Sequence, residues 1–132
     1  MPHEAEIRLS HKLETEALDP GSTLVRHHRV PVAELMAPRV SGGTMLHLAL
    51  ASCVFNNITR MAAECGITLR DASVRVGGDF TPEGDSTGIE CVVRVDADSD
   101  AAALAQLAND AFSDSTVGAV LKRATTVSLT LA

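Results

Sequence analysis

The sequence predicts a single α+β domain in which short strands are arranged around one long, buried helix. Several segments alternate apolar and polar residues, which is the pattern of a half-buried strand. The segment from Thr44 to Cys65 instead repeats apolar residues every three or four positions, which is the pattern of a helix. The 132 residues have the length of one domain, and no internal repeat or linker divides residues 1–132.

The N-terminal third of the chain is predicted to form a β-hairpin. In the first predicted strand, Ala5–Ala17, apolar and charged side chains alternate. An Asp-Pro-Gly-Ser turn signal follows at residues 19–22. A second strand, from Thr23 to about Val32, is predicted to pair with the first. Two prolines and the glycine pair at 42–43 indicate an irregular connection to the helix.

The central helix is predicted to begin after an N-cap at Ser41 or Thr44 and to end before Gly66. Its apolar residues lie on nearly all sides, and such a helix is buried on most of its surface. Aromatic residues make up only 2% of the chain, so small side chains must fill the core. We therefore expect an intertwined homodimer, in which a second copy covers the apolar surface that one thin sheet leaves open.

The C-terminal half is predicted to contain three strands and a helical region. Alternating runs near residues 73–76 and 89–95 are predicted strands, joined by a polar hairpin loop at 81–88. Asp98 or Ser99 is expected to cap a helix that extends through Phe112. A short helical piece near residues 116–123 and a strand with Val127, Leu129 and Leu131 complete the order β-β-α-β-β-α-(α)-β.

Charge and composition exclude several classes of partner. The formal net charge is -6, and no Lys/Arg cluster offsets it, so nucleic acid and anionic membrane surfaces are not expected partners. No segment has the length and apolarity of a leader peptide or a membrane span, so we expect a cytoplasmic protein. Three cysteines, an odd number, argue against a disulfide framework.

Cys53 is the first candidate for chemistry. It lies inside the predicted central helix, and Asn56 and Asn57 follow one turn later on the same face. A free cysteine is often only a small core residue, so the pattern alone leaves a core role and a reactive role open. We interpret Cys65 and Cys91 as structural.

The five histidines show no spacing typical of metal ligands. His27 and His28 are adjacent, so on a strand they would point to opposite faces. We therefore expect neither a metal nor another cofactor.

Four stretches of sequence carry the pattern of a known family. They are the run GGTMLHLALASCVF at residues 42–55, the predicted helix exit at 62–69, the end of the next strand at 78–80, and residues 115–121. Together they resemble the OsmC/Ohr family of osmotically inducible and organic hydroperoxide resistance proteins. The first run resembles the family's central helix, a Leu/Ala-rich run that ends in Ala-x-Cys-Phe, and residues 115–121 fall where the family usually has Cys-Pro-Val-Ser-x-x-Leu. The similarity covers about residues 42–132.

The resemblance implies an OsmC-like fold and a homodimer that reduces organic hydroperoxides with a pair of cysteines. By resemblance, Cys53 matches the attacking cysteine, whose thiolate becomes a sulfenic acid. The position of the second, resolving cysteine is Ser115, which cannot form a disulfide. The family's acidic residue, ten positions before the cysteine, falls on Gly43. Arg26 and Arg29 are the candidates for the arginine that holds the thiolate.

Two functional hypotheses follow from the resemblance and its departures. In the first, the chain is a one-cysteine, peroxiredoxin-like thiol peroxidase that an external thiol regenerates. In the second, the fold is repurposed, and its hydrophobic dimer pocket binds or transforms another small apolar molecule, for example in a biosynthetic pathway, without cysteine redox chemistry. In either case the predicted substrate contacts are His47, Asn56, Asn57 and Ser115.

Overall fold

The computed structural model describes residues 1–12 and 16–132, which form one six-stranded sheet and three helices. The α+β class and the long central helix are therefore confirmed. The elements follow one another as β1 (Ala5–Leu9), β2 (Ser22–Val25), β3 (Ala33–Met36), α1 (Gly42–Glu64), β4 (Leu69–Phe80), β5 (Ser86–Ala97), α2 (Ala101–Ser113), α3 (Thr116–Lys122) and β6 (Val127–Leu131).

The predicted N-terminal hairpin is wrong. β2 pairs with β3, and β3 pairs with β1, so that the sheet has the order β2-β3-β1-β4-β5-β6. The stretch that was predicted to be irregular contains β3. Pro31 and Pro38, the prolines behind that prediction, lie just outside this four-residue strand and bound it without interrupting it. β1 ends at Leu9, and residues 13–15 of the predicted first strand lie outside the described residues. Alternation locates a strand without identifying its partner, which only the assembled sheet decides.

The three helices lie together with α1 at their centre. α1 packs on β1 and β4, and α2 and α3 both pack on α1. The side chains of the sheet that contact this layer are apolar and buried; they include Ile7, Val74, Val76, Cys91 and Val93. Within the described part of the chain, no helix is both long and apolar enough to cross a membrane.

The opposite side of the sheet carries a buried ion-pair cluster around Glu34 of β3, which is only 2% exposed. Arg8 of β1 donates to one of its carboxylate oxygens through Nε at 2.7 Å, and Lys12 Nζ lies 3.1 Å from the other. Burial opposes ionisation of Glu34, but the hydrogen bonds from the two cations outweigh it and lower the pKa of this carboxyl. The cluster ties β1 to β3.

Local capping chemistry fixes both ends of α1. Ser41 Oγ accepts a hydrogen bond from the Thr44 backbone N–H at 3.1 Å, which confirms Ser41 as one of the two predicted caps. Gly66, at φ +71°, follows the C-cap in the left-handed conformation that glycine favours. For α2 the predicted caps are wrong: Asp100, rather than Asp98 or Ser99, accepts from the helix at 2.7 Å. All three side chains are suitable caps, and only the helix's actual start selects one.

One side of α1 faces away from the rest of the chain, and we call it the outward face. Its side chains are partly or fully exposed; they are Met45, Leu46, Ala49, Ser52, Cys53, Asn56, Arg60, Ala63 and Glu64. Leu46 and Cys65 belong to the apolar repeat from which the buried helix was predicted, but both are exposed, Leu46 by 38%. The single chain therefore covers three sides of the central helix and leaves the fourth open.

Candidate functional site

Cys53 lies at the edge of the outward face of α1 and is partly exposed. Leu50, one turn earlier, packs toward α3, since a Cβ at Gly118 would lie 3.6 Å from its Cδ1 atom. Asn57, one turn later, donates from Nδ2 to the Ala111 carbonyl oxygen of α2 at 3.1 Å. The thiol is therefore beside the contacts through which α1 holds the two shorter helices.

Of the two candidate arginines, Arg29 is the one that reaches the face carrying Cys53. Its Nε donates to the Asn56 side-chain oxygen at 3.3 Å, and Asn56 follows Cys53 by three residues on α1. Arg26 is exposed and makes no hydrogen bond or ion pair to any other described residue. The sequence could not distinguish the two, because it placed both on one predicted strand, Thr23 to about Val32. That prediction is too long, since β2 ends at Val25 and both arginines follow it.

The backbone next to Arg29 is also anchored to α1. The Arg29 N–H donates to His27 Nδ1 at 3.1 Å, and the His27 ring packs edge-on against buried Phe55, with centroids 5.1 Å apart. Burial, followed by the charges of His28 and Arg29, lowers the pKa of His27. A neutral imidazole is the form that accepts at Nδ1. Sequence patterns gave no indication of this contact, which joins residues 28 positions apart.

Two of the predicted substrate contacts make structural hydrogen bonds. Asn57 is 7% exposed and joins α1 to α2 through its amide group. Ser115 is 2% exposed and is the N-cap of α3, where its Oγ accepts from the Gly118 N–H at 2.9 Å. Their contact with a substrate stays a prediction.

His47 lies on a different side of α1 from Cys53, in a cluster with His3 and Phe80. Its Nδ1 is 2.8 Å from the His3 carbonyl oxygen, so Nδ1 carries the proton in this bond. Nε2 is buried and has no partner among the residues that the structure describes. Burial lowers the pKa of His47, although the bond to His3 opposes that shift. The structure therefore does not bring His47 together with Cys53.

Gly43 belongs to the same cluster and has no room for a side chain. A Cβ atom there would lie 2.6 Å from the Phe80 ring and 3.2 Å from the His3 ring. The two aromatic rings are 5.3 Å apart, edge to face. The space beside the first turn of α1, where the resemblance called for a carboxylate, is filled by aromatic packing.

The remaining cysteines differ sharply in exposure. Cys91 is fully buried on β5, and burial raises the pKa of its thiol to about 12. Cys65, at the C-cap of α1, is exposed. Cys53 and Cys65 are ~18 Å apart along α1, at a rise of about 1.5 Å per residue. Among residues 1–12 and 16–132, no group of three or more His, Cys, Asp or Glu side chains is placed to hold a metal ion.

Cys53 does not line any of the three largest cavities described for the chain. Those cavities, of about 500, 680 and 910 Å³, lie beside residues 29–32, at the N-terminal end of α1, and between the end of α1 and α2. The hydrophobic dimer pocket therefore stays a prediction. Cys53 lies instead on an open helix face.

Comparison with known proteins identifies relatives of this fold. The family model for OsmC-like proteins matches residues 36–130. No curated protein matches the chain. An OsmC-like protein from Mycoplasma pneumoniae has 14% sequence identity and a TM-score of 0.61, over 89% of this chain and 99% of that one.

Two further solved structures share the fold. An organic hydroperoxide resistance protein, OsmC, from Legionella pneumophila has 17% identity and a TM-score of 0.61, over 74% of this chain and 73% of that one. An OsmC-like protein of unknown function from Vibrio cholerae has 13% identity and a TM-score of 0.59 over the whole of both chains. Since the family model covers more than half of the sequence and the fold agrees, the chain belongs to the OsmC-like protein family.

Proposed function

We propose that this protein is a one-cysteine thiol peroxidase that reduces organic hydroperoxides through Cys53. The observation that carries the proposal is a partly exposed thiol at the motif position of α1, on the open helix face to which Arg29 is bonded through Asn56. The thiolate is the nucleophilic form of a cysteine, and partial exposure lets a hydroperoxide reach it. The organic hydroperoxide resistance protein with the same fold makes this substrate class a reasonable choice.

The proposed reaction has an oxidative step and a reductive step. The Cys53 thiolate attacks the terminal oxygen of ROOH, the O–O bond breaks, and the alkoxide takes up a proton to leave as ROH. Cys53 then carries a sulfenic acid. An external thiol displaces water to form a mixed disulfide, and a second external thiol releases Cys53 and leaves as the disulfide of the reductant.

An external reductant is needed because the chain offers no second thiol near the first. The hydroxyl of Ser115 cannot form a disulfide, Cys91 is buried, and Cys65 is ~18 Å away along the helix. Cα atoms of a disulfide are roughly 4.4–6.8 Å apart. Such a cycle suits a reducing compartment rich in small thiols, and we place the protein in the cytoplasm as part of this proposal.

A homodimer is the second part of the proposal. Met45 and Leu46 are 48% and 38% exposed on the outward face, and Val40, just before α1, is 82% exposed. Covering this apolar surface with a second copy would stabilise the pair by ~25 cal/mol per Å² removed from water and would enclose Cys53 in a pocket. Light scattering that gives a monomer mass at micromolar concentration would contradict it.

The direct test is consumption of cumene hydroperoxide with dithiothreitol as the reductant. Replacement of Cys53 by serine is expected to abolish turnover, because the hydroxyl is not a competent nucleophile here. Cys65→Ser is the matched control on the same helix and is expected to retain the wild-type rate. Full turnover by Cys53→Ser would rule out the peroxidase.

A second candidate function is supported by the aromatic cluster at Gly43. Phe80 and His3 occupy the space where the resembled peroxidases place a carboxylate, and Ser115 serves as a helix cap. Both departures fit a fold repurposed to bind or transform another small apolar molecule without cysteine redox chemistry. Native mass spectrometry of the purified protein distinguishes the two. A co-purified ligand that persists in Cys53→Ser, together with no peroxide turnover in the wild type, would favour the second.

A further inference from the structure

A cavity of about 500 Å³ lies beside the C-terminal half of α1, away from Cys53. Small-molecule sites in proteins usually have volumes of ~300–1,000 Å³. The wall that α1 contributes consists of Thr59, Ala62 and Ala63, whose small side chains leave the space open. Ala62 follows Cys53 by about two and a half helical turns and so lies on the opposite side of the helix from it. The cavity is therefore separate from the thiol.

The remaining walls of this cavity are mainly apolar. They come from the end of β1, the segment that leads into β3, and the segment that joins α1 to β4; the apolar residues are Leu9, Val30, Pro31, Val32, Ile67 and Leu69. Most of these side chains are only partly buried, so apolar surface is still open to water. An apolar ligand that covered this surface would be bound favourably by the hydrophobic effect.

The charged groups around the cavity all have one sign. Among the described residues that line it, Lys12 and Arg29 are the charged ones, and none is Asp or Glu. This contrasts with the net charge of -6 for the whole chain. It also contrasts with the other two large cavities, which have two and three carboxylate side chains in their walls. Of the three cavities, this one is suited to an anion.

The two cations differ in how far their charge is already satisfied. Lys12 Nζ lies 3.1 Å from a carboxylate oxygen of buried Glu34. Arg29 forms no ion pair with any residue that the structure describes, and its Nε donates to the neutral amide of Asn56 at 3.3 Å. Asn56 is a surface neighbour of Thr59 on α1, because residues three apart share a helix face. The Arg29 guanidinium therefore lies next to the α1 wall, with N–H donors in the fork that matches a carboxylate.

We propose that this cavity binds a small organic anion, whose aliphatic chain packs on the apolar walls and whose carboxylate is held by Arg29. This is a second site, in addition to the proposed peroxide chemistry at Cys53. The ligand class follows from the two features of the cavity together, since the apolar walls select an aliphatic chain and the guanidinium selects a carboxylate at its end.

The test is isothermal titration calorimetry of the wild-type protein with octanoate, at concentrations below those at which the ligand aggregates. Three further ligands separate chain from charge. 1-Octanol has the same chain without the charge, octylammonium has the opposite charge, and acetate has the charge without the chain. Octanoate is expected to bind about tenfold more tightly than 1-octanol, which is typical of a hydrogen bond to a charged group. None of these ligands is a peroxide, so the result does not depend on a reaction at Cys53.

Two variants change the charge and the space separately. Arg29→Gln is expected to weaken octanoate binding about tenfold and to leave 1-octanol binding unchanged. Arg29→Lys, which keeps the charge, is expected to restore part of the octanoate affinity. Ala63→Leu places a larger side chain in the cavity from an exposed position, so it is expected to weaken both ligands severalfold without disturbing the core.

Each variant has a matched control. Arg26→Gln removes the same charge from the same segment, at an exposed residue that does not line the cavity. Ala49→Leu makes the same enlargement at an exposed position on the outward face of α1. It therefore also reports any effect that acts through a dimer rather than through the cavity. Both controls are expected to leave the affinity for octanoate unchanged.

The proposal is overturned if octanoate does not bind, which is also the outcome expected if a second copy of the chain covers the cavity. It is equally overturned if octanoate binds no more tightly than 1-octanol, or if Arg29→Gln has no more effect than Arg26→Gln. If Ala63→Leu leaves both affinities unchanged, the ligand binds elsewhere and the assignment of this cavity is wrong. Loss of peroxide turnover in Cys53→Ser bears only on the proposed function, and octanoate binding bears only on this cavity.

Discussion

Introducing a cysteine at Ser115 tests how the candidate site is built. Ser115 caps α3 through a 2.9 Å hydrogen bond and is 2% exposed, in the corner where α3 meets α1 near Leu50. The reduced Ser115→Cys variant loses the hydroxyl cap and is expected to be less stable by about 1 kcal/mol. Ser115→Ala is the matched control for the cap alone and should lose a similar amount.

Mild oxidation of the same variant should then link the new thiol to Cys53. That disulfide closes a loop of ~60 residues, for which the chain-entropy model gives a stabilisation of about 4 kcal/mol. The oxidised variant should therefore be about 3 kcal/mol more stable than the wild type. Urea unfolding with and without dithiothreitol measures the difference, and non-reducing peptide mapping identifies the bond.

The result that refutes this reasoning is a variant that folds, with the expected loss of about 1 kcal/mol, but forms no bond between residues 53 and 115. Residue 115 would then not face Cys53, and its alignment with the family's resolving position would be wrong. Ser113→Cys, at the exposed end of α2, is the negative control and should form no such bond. In the wild type, peroxide treatment should yield no intramolecular disulfide.

Three further outcomes are expected. The folded pKa of Glu34 lies below its unfolded value, so its contribution to stability is present above about pH 4.5 and is lost as pH falls through the folded pKa. Glu34→Gln should therefore reduce the dependence of stability on pH in the acid range, measured as acid unfolding by circular dichroism. Native alkylation followed by mass spectrometry should label Cys65 readily and leave buried Cys91 unlabelled at neutral pH, and labelling of Cys91 at a rate equal to that of Cys65 would contradict its burial. Gly43→Ala should cost roughly 1–3 kcal/mol in thermal or urea unfolding, because its Cβ would lie 2.6 Å from the Phe80 ring, whereas an unhindered helix site would gain stability from alanine.

Short-range patterns identified the elements that short-range physics controls. The 3–4 residue repeat located α1 to within two residues at its start, and Ser41 and Gly66 marked its ends. The alternation near residues 73–76 and 89–95 located β4 and β5. Each of these features depends on neighbours within about one turn or one strand.

The candidate site was located by motif and only partly by chemistry. Cys53 stood out by its place in the helix, yet the sequence assigned Asn56, Asn57 and Ser115 the same role. In the structure these three do different things, since one holds Arg29, one joins two helices and one caps a third. Polar residues at one spacing look alike until their partners are known.

The sequence by itself determined that the chain is α+β, that α1 is its centre, and that Cys53 lies on that helix. These follow from periodicity, capping and a local motif, each contained in a continuous stretch. Only the tertiary structure decided that β3 lies between β1 and β2, that Arg29 rather than Arg26 reaches the thiol face, and that aromatic rings close the space at Gly43. Each of those outcomes depends on contacts between residues far apart in the chain. Strand partners, loop paths and packing volumes of this kind are determined only when the whole core assembles.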